Sequence, residues 1–471
     1  MRVILADAPA IGTRLDASYS NLGLLYLAGS LNAAFAKAEL DVTYLPAKQD
    51  IKGHVEFVRR YRPDIYGISF TSKAARRSYE AIRAVREACP GVRIVAGGAH
   101  PSALPEDVFA QSPVDIVVPG EGELTFTELI KAFSASAKPD LGSVSGLLFR
   151  HEGQVVRTAC RPLVADLDDI PFPAWELVDF HDYPGMHLKK QPLETSMLVS
   201  RGCPFHCTFC SQPVWKYHKP WLRARSVQNI CAEIELLYHR GIREIYLTSD
   251  EVNFNEPWAV ELCHSIADLN HPDLYFQCNL RSDKVTARLA EALAAMRCWL
   301  VHLGIESAND RVLEGIGKKI TVAQIDNATR LLSDAGVKVF AFMMLYQVWE
   351  DNGRLCWEST EEVENSLRFV RRLFRERRIQ YMSWQFCTPM PGAILYELAR
   401  RHNLYRGNPE SVWETFDEHT VAMNVPGVSE KDMRRKLKKG ILLKDWYMIR
   451  SGQISLRHVW RAWENLRALL K

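Results

Sequence analysis

Long apolar runs are missing from this chain. None reaches the ~18 residues that a membrane-crossing helix needs. Met1-Arg2-Val3-Ile4-Leu5-Ala6 is followed at once by Asp7 and reads as a first strand, not a signal peptide. Charge of one sign is missing too. Lys and Arg number 59 against 56 Asp and Glu, a net of +3, and this balance calls for neither a nucleic acid nor an anionic membrane. No G-x-G-x-x-G follows a predicted strand, which removes the fingerprint of a nicotinamide or flavin site. Cysteine occurs eleven times but mostly singly. Cys89, Cys160, Cys231, Cys263, Cys278, Cys298, Cys356 and Cys387 read as small buried hydrophobes or inert thiols, which suits a reducing cytoplasm better than a disulfide framework. What remains is an ordinary globular composition, 47% hydrophobic and 24% charged, with room in 471 residues for two or three domains.

Against that background one stretch stands out: Ser200-Arg201-Gly202-Cys203-Pro204-Phe205-His206-Cys207-Thr208-Phe209-Cys210-Ser211. Its cysteines are spaced C-x₃-C-x₂-C, just after a short apolar strand at Thr195–Val199. A loop of this length can curl three thiolates around one soft metal centre. Cysteine thiolates hold iron–sulfur clusters, usually four at a time. Three with no fourth nearby leave one iron open to a ligand. A zinc knuckle is the rival reading, with His206 or His218 as the fourth ligand that structural zinc requires.

Before this loop, strands and helices alternate. Strands are expected at Arg2–Leu5, Asp41–Leu45, Ile65–Phe70, Val92–Ala96 and Asp115–Val118, with helices at Leu22–Phe35, His54–Arg60 and Ser78–Ala88. Such alternation predicts a doubly wound parallel sheet, whose ligands bind beyond the strands' C-terminal ends. Those ends carry Asp7–Gly12, Ser69-Phe70-Thr71-Ser72, Gly97–Pro101 and Gly120–Glu123. A hairpin is expected across His151-Glu152-Gly153, then an acidic, proline-rich strap at Asp166–Trp175. After the cysteines, βα units resume with strands at Glu244–Leu247, Leu274–Cys278, Trp299–Gly304, Val337–Met343 and Tyr381–Phe386. Counting the strand before the cysteines gives six. Parallel barrels carry their chemistry at strand C-termini. Here those termini read Thr248-Ser249-Asp250-Glu251, Arg281-Ser282-Asp283 and Gly304-Ile305-Glu306-Ser307. Each charged residue alone is an ordinary surface group. Three successive strand ends bearing them favour a site.

The cysteine loop, with Phe209 between its last two cysteines, resembles that of radical S-adenosylmethionine (SAM) enzymes. The R-x-D at Arg281, the G-I-E-S ending at Ser307, Arg223-Ala224-Arg225-Ser226 and Thr388-Pro389-Met390-Pro391-Gly392 extend the likeness. The first half is similar to the cobalamin-binding domain that precedes some of these barrels, through Asn21–Ala28, Gly67-Ile68-Ser69, Gly97–Pro101 and Gly120-Glu121-Gly122-Glu123. A sheet of this fold binding nothing is the bland alternative.

The resemblance implies an α/β chain: a Rossmann-like cobalamin-binding domain at 1–142, a hairpin strap at 143–192, a (β/α)₆ partial barrel at 193–403 and a helical C-terminal cap at 404–471. Cys203, Cys207 and Cys210 would hold a 4Fe–4S cluster whose open iron chelates SAM. Asp250, Glu251, Arg281 and Glu306 would contact SAM, and Ser69, Thr71, Gly97, Gly98, Gly120 and Glu121 would contact cobalamin. Proline stands at position 9, where mutase-type domains carry the cobalt-ligating histidine. No histidine lower ligand is therefore expected, and His100 is expected to turn a loop. Where the family has a Gly-Pro-Gly-Glu-like turn near the SAM adenine, this chain reads Leu345-Tyr346-Gln347-Val348-Trp349. That departure leaves the adenine contact open and offers Tyr346, Gln347 or Trp349 to cobalamin or substrate.

Trp413, Trp446 and Trp460 are expected to pack the cap, and the basic runs Lys431–Lys438 and Arg457–Lys471 to be solvated faces. The implied enzyme is cytoplasmic and monomeric, reduced by a flavodoxin- or ferredoxin-type donor. It methylates an unactivated carbon of a small biosynthetic molecule. A cyclisation or rearrangement with the same cofactors is the alternative, and a zinc-stapled binding protein is the reading of another class.

Overall fold

The first strand, β1 (Arg2–Asp7), is buried along all but its first residue, as a strand covered on both faces must be. A computed structural model describes residues 1–10, 18–407 and 419–452. In it β2 (Asp41–Leu45), β3 (Ile65–Ser69), β4 (Arg93–Gly97) and β5 (Ile116–Val118) run parallel to β1 in the order β2-β1-β3-β4-β5. Helices Leu22–Ala34 and Glu123–Ala135 cover one face, and Ile51–Tyr61 and Ala75–Ala88 the other. The strand order reverses between β1 and β3, where such sheets open a ligand crevice.

The hairpin expected in the strap, β6 (Leu148–His151) and β7 (Gln154–Arg157), joins the first sheet through antiparallel pairing on β5 and makes it seven-stranded. Leu148 and Phe149 are the reason, because both are buried by that pairing.

The strap itself is a run of single-turn helices packed against both halves of the molecule. Ala174 donates its backbone N–H to Leu25 (3.0 Å), and the Trp175 indole donates to Glu233 in the barrel's first helix (2.8 Å). Gly29 allows the close approach: a Cβ there would overlap the Phe172 carbonyl oxygen.

Beyond the strap come β8 (Glu194–Leu198), a short antiparallel pair β9 (Ser200–Arg201) and β10 (Arg223–Ala224), then β11 (Glu244–Thr248), β12 (Tyr275–Leu280), β13 (Cys298–Glu306) and β14 (Lys338–Leu345). A hairpin of β15 (Val348–Asp351) and β16 (Arg354–Trp357) follows before β17 (Tyr381–Phe386). The parallel sheet runs β17-β14-β13-β12-β11-β8, six strands with two open edges, which is a partial barrel. Its N-terminal end is plugged by the buried Glu244 carboxylate. That group accepts from Lys190 N (2.6 Å), Gln191 N (2.8 Å), Gln277 Nε2 (2.7 Å) and Trp299 Nε1 (2.7 Å), so its buried charge is fully satisfied. The mouth is therefore left to the strands' C-terminal ends.

Helix Glu430–Arg450 lies against β17 and helix Thr360–Arg375, on the barrel's outer wall. Lys439 pairs with Glu364 (2.7 Å), and Tyr447 stacks on Phe374 at 5.0 Å. Trp446 departs from expectation: it is 50% exposed, with its edge toward Tyr447, and does not fill a core. Trp413, Trp460 and the run Arg457–Lys471 lie outside the described residues. No described helix is long and apolar enough to cross a membrane.

Gly29→Ala should destabilise the fold by about 1–3 kcal/mol, the range for overpacking a tight contact. Gly91→Ala, where a Cβ meets nothing within 4 Å, is the matched control. Thermal unfolding of the two variants checks this, and equal melting temperatures would contradict it.

Candidate active site at the facing strand ends

Gly202 starts the cysteine loop. Its φ of +90° and the Trp221 carbonyl oxygen, which a Cβ would overlap, leave no other residue at ease there. The loop then runs half-buried and is pinned by neighbours. Thr208 N donates to Ile316 O (2.8 Å), Leu395 N donates to Thr208 O (2.8 Å), and the Lys216 ammonium donates to Phe205 O. Cys203, Cys207 and Cys210 are all free and partly exposed. Burial, reinforced by the Glu251 carboxylate, pushes the Cys203 thiol up to about 12. Burial pushes Cys210 up to about 11, with Asp250 adding to it. Both are therefore thiols until a metal displaces their protons. The donors fit an iron–sulfur cluster. Among the described residues no three Cys, His, Asp or Glu side chains group around a single metal-ion position.

On one side of the loop, five charged side chains from the barrel mouth gather. Glu251 Oε1 lies 3.9 Å from Cys203 Sγ, and burial lifts its carboxyl to about 7 although Arg281 and Lys318 oppose the shift. Arg281 lies over the Phe205 ring (3.5 Å), donates to Asp283 (2.7 Å), and donates again to the Lys318 carbonyl. Glu306 pairs with the Lys318 ammonium at 3.0 Å, both side chains being buried. The sequence reading missed Lys318; its signal was the turn Gly315-Ile316-Gly317, which abuts the cysteine loop and aims the next residue at Glu306.

Glu306 and Tyr346, at the ends of the paired strands β13 and β14, both take positive φ (66° and 58°) without being glycine. Gln347 Nε2 donates to Glu306 O (3.1 Å), while Tyr346 N (2.8 Å) and Ser307 Oγ (3.0 Å) donate to Glu358. This web corrects the expectation that Tyr346, Gln347 and Trp349 face cofactor or substrate. They are 1%, 0% and 4% exposed, and Trp349 packs with Val312 and Ile316. The hairpin β15–β16 folds them inward and brings in Glu358, a residue to which the sequence gave no cue. Burial raises the Glu358 carboxyl to about 8.

On the loop's other side a cavity of about 390 Å³ lies between the two sheets. The first sheet contributes Ser69, Gly97, Gly98, Gly120 and Glu121; the barrel contributes Arg201, Gln212, Trp215, Trp221, Arg223 and Asp250. Thr71 lies apart, exposed ahead of a single helical turn. Among the described residues no histidine lines the cavity. His100 is buried on the sheet's far face, bonded to Tyr79 (2.7 Å) and Ser72 (2.9 Å). Two ion-paired acids cross the gap: Arg201 meets Glu123 and Glu121, and Arg223 forks onto Glu121. Burial alone would raise the Glu123 carboxyl, but Arg201 and Arg223 more than offset it and hold it below the ordinary range. Asp250 opens into the cavity, and its carboxyl is raised by burial despite the amide of Gln212.

The pattern described as the Radical SAM superfamily matches residues 197–355, and the B12 binding domain matches residues 9–130. An uncharacterized methyltransferase of Pyrococcus horikoshii is 31% identical over 450 residues, spanning 94% of this chain and 92% of the relative. The chain belongs to the cobalamin-binding radical SAM family. An anaerobic magnesium-protoporphyrin IX monomethyl ester cyclase of Cereibacter sphaeroides is 28% identical over 407 residues, covering 80% of this chain but only 64% of the cyclase. Among solved structures, the radical SAM methyltransferase TsrM of Kitasatospora setae, with cobalamin and a 4Fe–4S cluster bound, aligns with a TM-score of 0.69 at 17% identity, covering 94% of this chain and 90% of that one. That likeness is one of fold. In family terms, the cavity lies between the B12 domain's strand ends and the radical SAM cysteine loop.

Glu358 makes a pH test of the strand-end web. A carboxyl raised from 4.5 to about 8 favours its protonated form in the fold, so this group's stability contribution declines as pH rises through that window. Glu358→Gln keeps an acceptor for Tyr346 N and should remove this share of the decline. Melting temperatures from pH 5 to 9 that fall equally in both proteins would contradict the assignment.

Proposed function

We propose that this enzyme methylates a carbon of a small molecule, using a 4Fe–4S cluster, SAM and cobalamin. The observation that carries this reading is the shared cavity, lined at once by the B12 domain's strand ends and by residues flanking the three cysteines. When bound, the cluster and SAM supply a 5′-deoxyadenosyl radical, and methylcobalamin supplies the methyl group. The remaining work belongs to the chain. Cys203, Cys207 and Cys210 hold the iron as thiolates. Glu251 receives the SAM ammonium, a role its position beside Cys203 supports. Arg281 and Lys318 present cationic groups for the SAM carboxylate, and Glu306 accepts from its ribose or amino group. Ser69, Gly97, Gly98, Gly120 and Glu121 form the bed for cobalamin. The paired Arg201–Glu123 and Arg223–Glu121 bring fixed charge to the space between the cofactors. The cyclase relative supports a second reading, in which the same cofactors close a ring without transferring methyl.

Anaerobic reconstitution with iron, sulfide and hydroxocobalamin tests the reading. It is expected to give about four irons and about one cobalamin per chain, and Cys203→Ala should lose the iron. Under reduction, SAM should then yield 5′-deoxyadenosine and S-adenosylhomocysteine together, since methyl transfer needs one SAM for each role. Deoxyadenosine without S-adenosylhomocysteine would favour ring closure. Iron without cobalamin would overturn both readings.

A further inference from the structure

Asp250 and Glu251 follow one another in the bend beyond β11, and their side chains meet different partners. Glu251 turns to Cys203 and Arg281. Asp250 turns to the cavity, where it meets Gln212, whose Nε2 donates to Asp250 Oδ2 at 3.1 Å. That bond fixes the amide's orientation and leaves Gln212 Oε1 buried with no hydrogen-bond partner. The other charges on the cavity wall satisfy one another: Glu121 and Glu123 are matched by Arg201 and Arg223. Among the described residues Asp250 has no ion-pair partner, and Lys216, the cation whose field reaches it, donates its ammonium to Phe205 O. The pair Asp250–Gln212 therefore offers the cavity a carboxylate and an amide oxygen: acceptors without a matching donor. Trp215 and Trp221 are half-buried and line the same cavity.

A carboxylate open to the cavity and without an ion partner attracts a cation, and aromatic faces also favour one. We propose that Asp250, Gln212, Trp215 and Trp221 form the substrate subsite, and that the substrate class is a small apolar or aromatic body bearing a protonated amine. The ammonium bonds to Asp250 and Gln212 Oε1, and the body rests on the two indoles. This inference rests on the two-cofactor reading above and deepens it. It also separates the two acids that follow β11: Glu251 serves SAM and Asp250 serves substrate.

The test uses protein reconstituted with cluster and cobalamin, saturated with SAM, its iron and cobalamin counted first. Calorimetric titration compares 2-phenylethylamine with 2-phenylethanol and 3-phenylpropanoate, which share a ring but not a charge. The amine should bind about tenfold or more tightly than either, a difference of about 1.4 kcal/mol. Asp250→Asn should abolish that preference while leaving the iron count and SAM affinity intact. Trp215→Leu, which touches no carboxylate, should weaken all ring-bearing probes. Equal binding of the three probes by wild-type holoenzyme would overturn the subsite while leaving the cofactor reading standing. So would loss of SAM binding in Asp250→Asn with the amine preference retained, which would return Asp250 to the SAM ammonium. Absence of iron or cobalamin in the wild-type protein would remove the reading and the inference together.

Discussion

Four buried or half-buried charges hold the two halves of this protein at a working distance. Glu121 comes from the loop after β5 and Glu123 from the start of the helix that follows it, and Arg201 and Arg223 come from the short ladder that carries the cysteine loop. Taking such groups out of water costs several kcal/mol per ion, and only close pairing offsets it. Because every partner comes from the opposite half, neither sheet can present its strand ends alone without an unpaired charge. The pairing also links position to function. Arg201 immediately precedes Gly202 and Cys203, so the ions that seat the first sheet's loop also fix where the cysteines begin. Tyr217, lying on Gly120 with its hydroxyl accepting from Glu121 N (3.1 Å), closes the same seam.

A second constraint operates at the barrel mouth. The ends of β13 and β14 bend into left-handed backbone at Glu306 and Tyr346, where glycine would be easier. Each such residue costs on the order of 1 kcal/mol and persists only where its surroundings over-determine it. Here the surroundings are Gln347, Ser307 and the fully buried Glu358. This glycine-free turn thus keeps its shape by recruiting the carboxyl of Glu358, which follows the β15–β16 hairpin. Tyr346 and Gln347 are buried within that web, and Trp349 is buried against Val312 and Ile316.

Much of the fold was legible because it follows from period and punctuation. Strands of β-branched residues alternating with amphipathic helices specify parallel βα units, and in both sheets the strand positions fall within a residue or two of expectation. The hairpin at 148–157 was visible as a hairpin, yet its attachment to β5 was not, because register between distant segments leaves no local trace. The cysteines were legible as a site because three thiols at that spacing have few other uses. Lys318 and Glu358 were not. Each is a single charged residue in a turn, indistinguishable by type from a solvated one, and only burial against Glu306 and Ser307 gives it meaning.

What the residue order determined by itself was the class of chemistry: a C-x₃-C-x₂-C loop on a strand end, ahead of strand ends bearing acids and an arginine, and behind a sheet with glycines at its edges. Those features are local, set by backbone freedom and ligand type. Tertiary structure decided which groups share a space. It turned Glu251 to Cys203 and Asp250 to Gln212, buried Tyr346, Gln347 and Trp349, left Thr71 outside, and placed Arg201 and Arg223 between two domains. Those choices depend on desolvation and charge pairing between segments far apart in the chain, and no window of sequence contains both partners.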